Sequence, residues 1–446
     1  MENQQQSEEK SSLTSSNSTL IKGFLVFVLT LIMLIPIPII LSLIEERTAY
    51  QEEVINEISN KWSGDQVLYG PFLWINYKVV TTNEKGNKIV TTESKFVSAN
   101  SNSIKGNLNT SVKKRSLYET VVYQSNITIQ SVFPNYEQIL QNLSLDQEMI
   151  IDTKLVFGLE DPKGMENRIG FQSNGKQYFF ATDEGIEMAI DTENQKKSIE
   201  VLSKVIDPKD FQFQSVQMNL KLKGSKSLKL LPSASETLVE LTSDWADHKY
   251  DGYALPQQTL QKENLYTAHW KIFQDNPMNG QYWDGKIDQK NYQFGVEFLQ
   301  LNDHYEKTYR STKYAILFIG LTFVAFFFIE NRNGFNIHLV QYALVGFAIC
   351  INFVLLLSIS EYLGFDWAFL ISSLATISLI TYFVFGFLKS WNLTFKITAM
   401  LVILYGFIYS ILQLKEHALL VGSIGLFFIL FVIMVYSRKI EWNSKN

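Results

Sequence analysis

The chain has 446 residues, a formal net charge of −5, 46% hydrophobic and 19% charged residues, and one cysteine, Cys350. That acidic balance excludes nucleic acid as a natural partner, because phosphate binding needs a basic face. A single cysteine excludes an internal disulfide and any paired-cysteine metal or redox site.

The average composition hides a split. Residues 45–311 have ordinary water-soluble composition, whereas 312–437 are almost entirely apolar. In chain order, 1–22 is polar and rich in Ser, Gln, Asn and Glu, a composition that cannot bury a core and predicts a disordered cytoplasmic tail. Residues 23–44 carry no charge and are long enough to cross a bilayer. The run ends in Glu45-Glu46-Arg47 and not in a small-residue cleavage site, so it reads as an uncleaved anchor and not a signal peptide. Pro36 and Pro38 each remove a backbone donor, which predicts a kink or local unwinding in its outer half. In 45–62, Val54, Ile55, Ile58 and Trp62 recur at helical spacing with Glu52, Glu53 and Glu57 facing away. This predicts an amphipathic helix, ended by Ser63-Gly64-Asp65.

From 66 to 301 the period changes to that of strands. Segments 67–69, 73–80, 88–92, 117–131, 149–159, 176–180, 211–222, 228–231, 238–241, 265–273 and 292–301 are rich in β-branched and aromatic residues, with turn residues between them. A short helix is expected at 136–143. Many short strands predict antiparallel, sandwich-like sheets. The stretch 305–330 (YEKTYRSTKYAILFIGLTFVAFFFIE) then opens the membrane region, with the collar Glu306, Lys307, Arg310 and Lys313 before an apolar run closed by Glu330. Five spans are expected here: 312–330, 337–358, 367–388, 397–413 and 418–437. With the first span this gives an integral membrane α-helical bundle of six spans with an inserted β-rich extracytoplasmic domain. Lys10, Lys22, Arg332, Lys389, Lys396, Arg438 and Lys439 fall on one side of such a bundle. The positive-inside rule makes that side cytoplasmic, together with both termini and the tail 438–446, and makes 45–311 periplasmic.

Several stretches resemble the CreD family, bacterial inner-membrane proteins described as cell envelope integrity proteins. They are HYEKTYRSTKYAILFIGLTFVAFFFIE (304–330), IHLVQYALVGFAICINFVLLLSISEYLGFDWAF (337–369), LIPIPIILSLIEER (34–47), GPFLWINY (70–77) and DGYALPQQTL with HWKIF (251–273). The sequence departs from the family pattern at Leu339, where a proline is expected, and at Tyr362, where a histidine is expected. The resemblance implies a role in envelope integrity and an association with a two-component regulatory system, hence expression under nutrient or cell-wall stress.

The third span carries the most informative polar pattern. His338, Gln341, Tyr342, Val345 and Asn352 are spaced 3, 1, 3 and 7, which puts them in one helical stripe roughly 100° wide. Such a stripe must face protein or water. Its first reading is interhelical hydrogen bonding, and its second is a small-ligand path or a proton relay. Glu361, just beyond that span, is a plain interfacial carboxylate, or else a cation ligand or a partner of Arg310 and Lys313. The candidate functional residues are therefore His338, Gln341, Asn352 and Glu361. In the soluble region Asp244, Asp247, His248 and Asp251 would share a helical face and could hold a divalent metal, but Asp251-Gly252 is a turn signal and a solvated turn is expected. No nucleophile elbow, Walker loop, HExxH motif or dinucleotide-binding glycine turn is present. The expectation is a non-enzymatic inner-membrane protein without cofactor, whose periplasmic domain binds an envelope protein or cell-wall component. The competing readings are a transporter or lipid-handling protein using the polar stripe and, behind it, a membrane enzyme.

Overall fold

The computed structural model describes residues 21–82, 87–186, 188–192, 195–207, 215–273, 282–284, 286–288, 292–299, 304–333, 336–414 and 418–438. Residues 1–20 and 439–446 of the expected tails, the start of strand 211–222 and the loop with Lys415 and Glu416 lie outside these residues; Ile21 and Lys22, expected in the tail, already belong to the first helix. The chain divides into two compact units, one formed by 1–52 with 302–446 and the other by 53–301. Each is described by itself.

The first unit is helical. Helix α1 covers 21–33 and α2 covers Pro36–Trp62. Between them Leu34 and Ile35 form a turn whose N–H groups bond three residues back, to Leu31 and Ile32. Pro36 then starts the new helix, where a missing N–H costs nothing. The break expected from the prolines is therefore present, and it lies just before Pro36. After a short helix α3 (Tyr136–Leu143) in the second unit, the chain returns with α4 (His304–Lys313), α5 (Ala315–Asn333), α6 (Leu339–Leu388), α7 (Trp391–Gln413) and α8 (Ala418–Ser437).

Among the described residues, four helical stretches are long and apolar enough to cross a membrane: Ile21–Trp62, Ala315–Asn333, Leu339–Leu388 and Trp391–Gln413. The count differs from the six spans expected. One reason is that expected spans 337–358 and 367–388 belong to one element, α6, of 50 residues. At 1.5 Å per residue α6 would be about 75 Å long if straight, more than twice a hydrocarbon core. It is not straight. Gly364 has φ 75° and ψ 171°, a backbone conformation that suits glycine alone. Asn352 and Thr376 stand twelve residues on either side of it, yet Thr376 Oγ1 donates to Asn352 Oδ1 at 3.1 Å. In a straight helix they would be about 36 Å apart. Element α6 is thus a helical hairpin folded at Gly364. A second fold-back follows at Lys389, where Thr381 and Thr398 hydroxyls meet at 2.8 Å across α6 and α7.

The second unit is built from sheets. In the eight-stranded sheet the order is Gln258–Lys262, Leu265–Phe273, Ala234–Ser243, Ala99–Arg115, Tyr118–Val132, Val216–Ser225, Gly170–Ser173, Lys176–Phe179. A nine-stranded sheet is organised around Gln66–Thr82, which pairs with Ile150–Leu159, Lys88–Val97 and Ser227–Leu230. A third sheet has three strands. Most pairings are antiparallel as expected, but not all. Gln66–Thr82 runs parallel to Ser227–Leu230, and Ala99–Arg115 runs parallel to Ala234–Ser243. More than a hundred residues separate each of these pairs in sequence, ample for the crossover that parallel neighbours require.

One core lies between the two large sheets. Leu73, Ile75, Leu155 and Phe157 from one meet Ile104, Ile127, Ile129 and Leu220 from the other. The nine-stranded sheet also buries its second face: Tyr69, Phe72, Trp74 and Phe96 pack there with Trp283, whose ring stacks on Phe96 at 4.6 Å. That explains the unbroken apolar run in Gln66–Thr82, since a strand covered on both faces does not alternate.

Two outcomes are expected of this unit. Gly224→Ala would bring a Cβ to 2.2 Å from the hydroxyl of Tyr123, which is fully buried and donates to the Ser227 carbonyl at 2.8 Å. Overpacking there should cost about 1–3 kcal/mol in urea unfolding followed by tryptophan fluorescence. The second concerns Asp183. Burial raises its pKa, but hydrogen bonds from Lys154 (2.8 Å), Ser203 (2.5 Å) and the Gly185 N–H (3.1 Å) outweigh that and lower it. A lowered carboxylate contributes stability above its unfolded pKa and loses it as pH falls through the folded one. The stability gap between wild type and Asp183→Asn should therefore be full at neutral pH and close as pH drops below about 4.

Candidate functional site

The apolar run of α5 ends at Glu330, and α6 starts nine residues later, at Leu339. Its first turn is capped by His338. The His338 Nδ1 accepts from the Val340 N–H at 3.3 Å, and the His338 N–H donates to Gln341 Oε1 at 3.0 Å. The two form a reciprocal capping box. Two of the four candidate residues are thus used in starting a helix.

The same helix end carries a buried polar centre. Glu330 is 6% exposed. Its Oε1 accepts from the Ile337 N–H at 3.0 Å and is paired with the ammonium of Lys22 on α1. Its Oε2 accepts from the hydroxyl of Tyr342 on α6 at 2.9 Å. Lys22 also bonds Asn336 Oδ1. One carboxylate therefore joins α1, α5 and α6. Sequence reasoning placed Tyr342 in the polar stripe but took Glu330 and Lys22 as flanking charges. The available signal was their opposite sign at span ends assigned to the same side.

Asn352, 1% exposed, is held by Thr376 across the hairpin. It is not brought together with His338 and Gln341. Glu361 lies within α6 near the fold at Gly364, where its Oε1 accepts from Tyr305 at 2.9 Å. Among the described residues it makes no ion pair with Arg310 or Lys313, against one of the alternatives expected; Arg310 instead reaches the Leu414 carbonyl at 3.5 Å. Asp366, on the far side of Gly364, accepts from Tyr409 at 3.1 Å and Gln413 at 2.5 Å. The four candidates thus occupy three separate places along α6, and each has a partner within the protein.

In the second unit the possible metal cluster does not assemble. Asp244 accepts from the Thr110 N–H and hydroxyl at 2.8 and 2.7 Å. His248 bonds the Trp245 carbonyl and the Tyr250 hydroxyl. Asp251 pairs with Lys229 at 2.6 Å, which lowers its pKa. Among the described residues no group of three His, Cys, Asp or Glu is placed to hold a metal ion. The segment is a bend leading into the strand His248–Gly252, so helical spacing does not apply.

An apolar helical bundle interrupted by a β-sandwich defines a multi-pass membrane protein with one large inserted domain. A family model described as Inner membrane protein CreD matches residues 18–443, and the chain belongs to that family. The Inner membrane protein CreD of Escherichia coli (strain K12) is 29% identical over 420 residues, covering 92% of this chain and 91% of its own.

The Glu330 centre gives a direct test. Removing one member of a buried ion pair leaves the other charge uncompensated, at a cost of about 3–5 kcal/mol. Glu330→Ala should therefore lower the thermal midpoint of the detergent-solubilised protein strongly, and Lys22→Met combined with Glu330→Leu should restore much of the loss.

Proposed function

We propose that this protein supports the integrity of the cell envelope without catalysing a reaction. It crosses the inner membrane six times, and its β-rich unit binds an envelope component on the periplasmic side. The two arms of α6 count as separate crossings, and α8, with 20 apolar residues, supplies the last. The observation that carries this reading is the state of the polar stripe. His338 and Gln341 are engaged in a helix cap, Tyr342 by Glu330, and Asn352 by Thr376. Polar side chains engaged in this way hold helices together, which supports anchoring over conduction of a solute. Binding then falls to the sheet unit.

The ends of the bundle support the orientation. Arm one of α6 begins beside Glu330 and arm two returns to the same end, so Lys22, Arg332, Lys389 and Lys396 share that end. Glu361 and Asp366 mark the opposite one. Cations gathered at one end are cytoplasmic by the positive-inside rule.

Cysteine labelling tests the arrangement. Cys350 is buried, so the native background is low. Asn109→Cys on an exposed strand position should react with a membrane-impermeant maleimide in cells whose outer membrane alone is permeabilised. Arg332→Cys should react only after lysis. The reverse pattern would overturn the proposed sidedness.

A further inference from the structure

One row of the core between the two large sheets is polar. Along the eight-stranded sheet the register sets Ile272, Thr237, Asn102, Ser131 and Val216 side by side on five neighbouring strands. All five side chains lie on the buried face, and Thr237, Asn102 and Ser131 are at most 1% exposed. The next buried row, Trp270, Val239, Ile104, Ile129 and Met218, brings no hydroxyl, amide or charge.

Hydrogen bonds fix how the central residue is turned. The Ser233 hydroxyl donates its one proton to the Gly70 carbonyl at 3.0 Å. It can then only accept from Asn102, whose Nδ2 stands 2.6 Å away. The other end of the amide, Oδ1, has no hydrogen-bond partner among the described residues. Neither does the hydroxyl of Ser131 on one side of it or that of Thr237 on the other. An acceptor is thus flanked by two hydroxyls, each able to donate and to accept.

Native structures pair the great majority of buried polar atoms, with protein groups or with ordered water. An internal water typically makes about three hydrogen bonds to groups of this kind. The surroundings select water over other occupants. The three residues are enclosed, so the occupant is small. The row has no ionisable side chain, so a charge placed there would be uncompensated and costly. Ile272 and Val216 close the two ends of the row, which leaves a larger polar molecule nothing further to bond.

We propose that internal water joins Asn102 Oδ1 to the hydroxyls of Ser131 and Thr237 and is a constitutive part of the sheet unit. It completes a polar chain from strands Ala234–Ser243 and Tyr118–Val132, through Asn102 and Ser233, to the Gly70 carbonyl on Gln66–Thr82. That chain crosses from the eight-stranded sheet to the nine-stranded one, so bound water helps hold the two together across their shared core.

The test uses the full-length protein. A crystal structure that resolves ordered solvent should show water within hydrogen-bond distance of Asn102 Oδ1 and of one or both hydroxyls. Crystals soaked in rubidium chloride should show no anomalous peak at that place. Thr237→Val keeps the shape of the side chain and removes its hydroxyl. The thermal midpoint of this variant in detergent, followed by tryptophan fluorescence, should fall by about 2–4 °C, the loss of one hydrogen bond in a unit of this size. Removing a hydroxyl that has no partner would instead leave the midpoint unchanged or raise it. Absence of water, direct contact between a hydroxyl and the amide, a rubidium peak, or a midpoint that does not fall each overturns the proposal. If the variant fails to fold, the wild-type crystal structure decides alone.

Discussion

Hydrocarbon offers no partner to a polar group, and that constraint governs the helical unit. A polar side chain carried into it is costly unless it finds another. Glu330 has the most to satisfy, and it does so with a cation from α1, a hydroxyl from α6 and a backbone N–H from the connection between α5 and α6. The cost of burying the carboxylate is offset only because all three arrive together, which makes the position of α1 against the other two helices specific. Asn352 and Thr376 repeat the principle with a neutral pair inside the α6 hairpin.

The sheet unit obeys a different constraint and treats its two large sheets unequally. The nine-stranded sheet is covered on both faces, by the shared core on one side and by the Phe72, Phe96 and Trp283 cluster on the other. The eight-stranded sheet contributes only one face to the core. Its other face meets water, and there amides and hydroxyls are mixed with ion pairs such as Lys105–Glu240 and Lys271–Glu236.

How much of this could be read from the residues varied with the local physics. Strands with a clear period were legible: 265–273 alternates Ala268, Trp270 and Ile272 inward, and its observed bounds are the same. The helix at 136–143 was legible from Tyr136, Ile139, Leu140 and Leu143 and is capped by Asn135. The 17-residue strand Ala99–Arg115 was not, because its outward positions are Ser, Asn and Lys and its inward ones include Asn102 and Gly106, which mute the alternation. The fold-back between 358 and 367 was legible, because Glu361 and Asp366 interrupt the apolar runs on either side; what the residues did not show is that helical hydrogen bonding continues up to a single break at Gly364. In the membrane, polarity marked the stripe but not its partners. Tyr342 meets Glu330 twelve residues back, whereas Lys22 meets it across 308 residues, a separation that no local pattern encodes.

The hairpin of α6 also has a temporal meaning. Its internal bond closes a loop of only 24 residues, so both arms can find each other as soon as they are made. The clasp on Glu330 cannot close until the whole sheet unit, lying between α2 and α4 in sequence, has been synthesised. Until then the first anchor waits with its lysine unmatched. Biogenesis of this protein thus has an early, local event and a late, sealing one, and a stalled sheet unit would leave the bundle open at the seam between α1 and its neighbours.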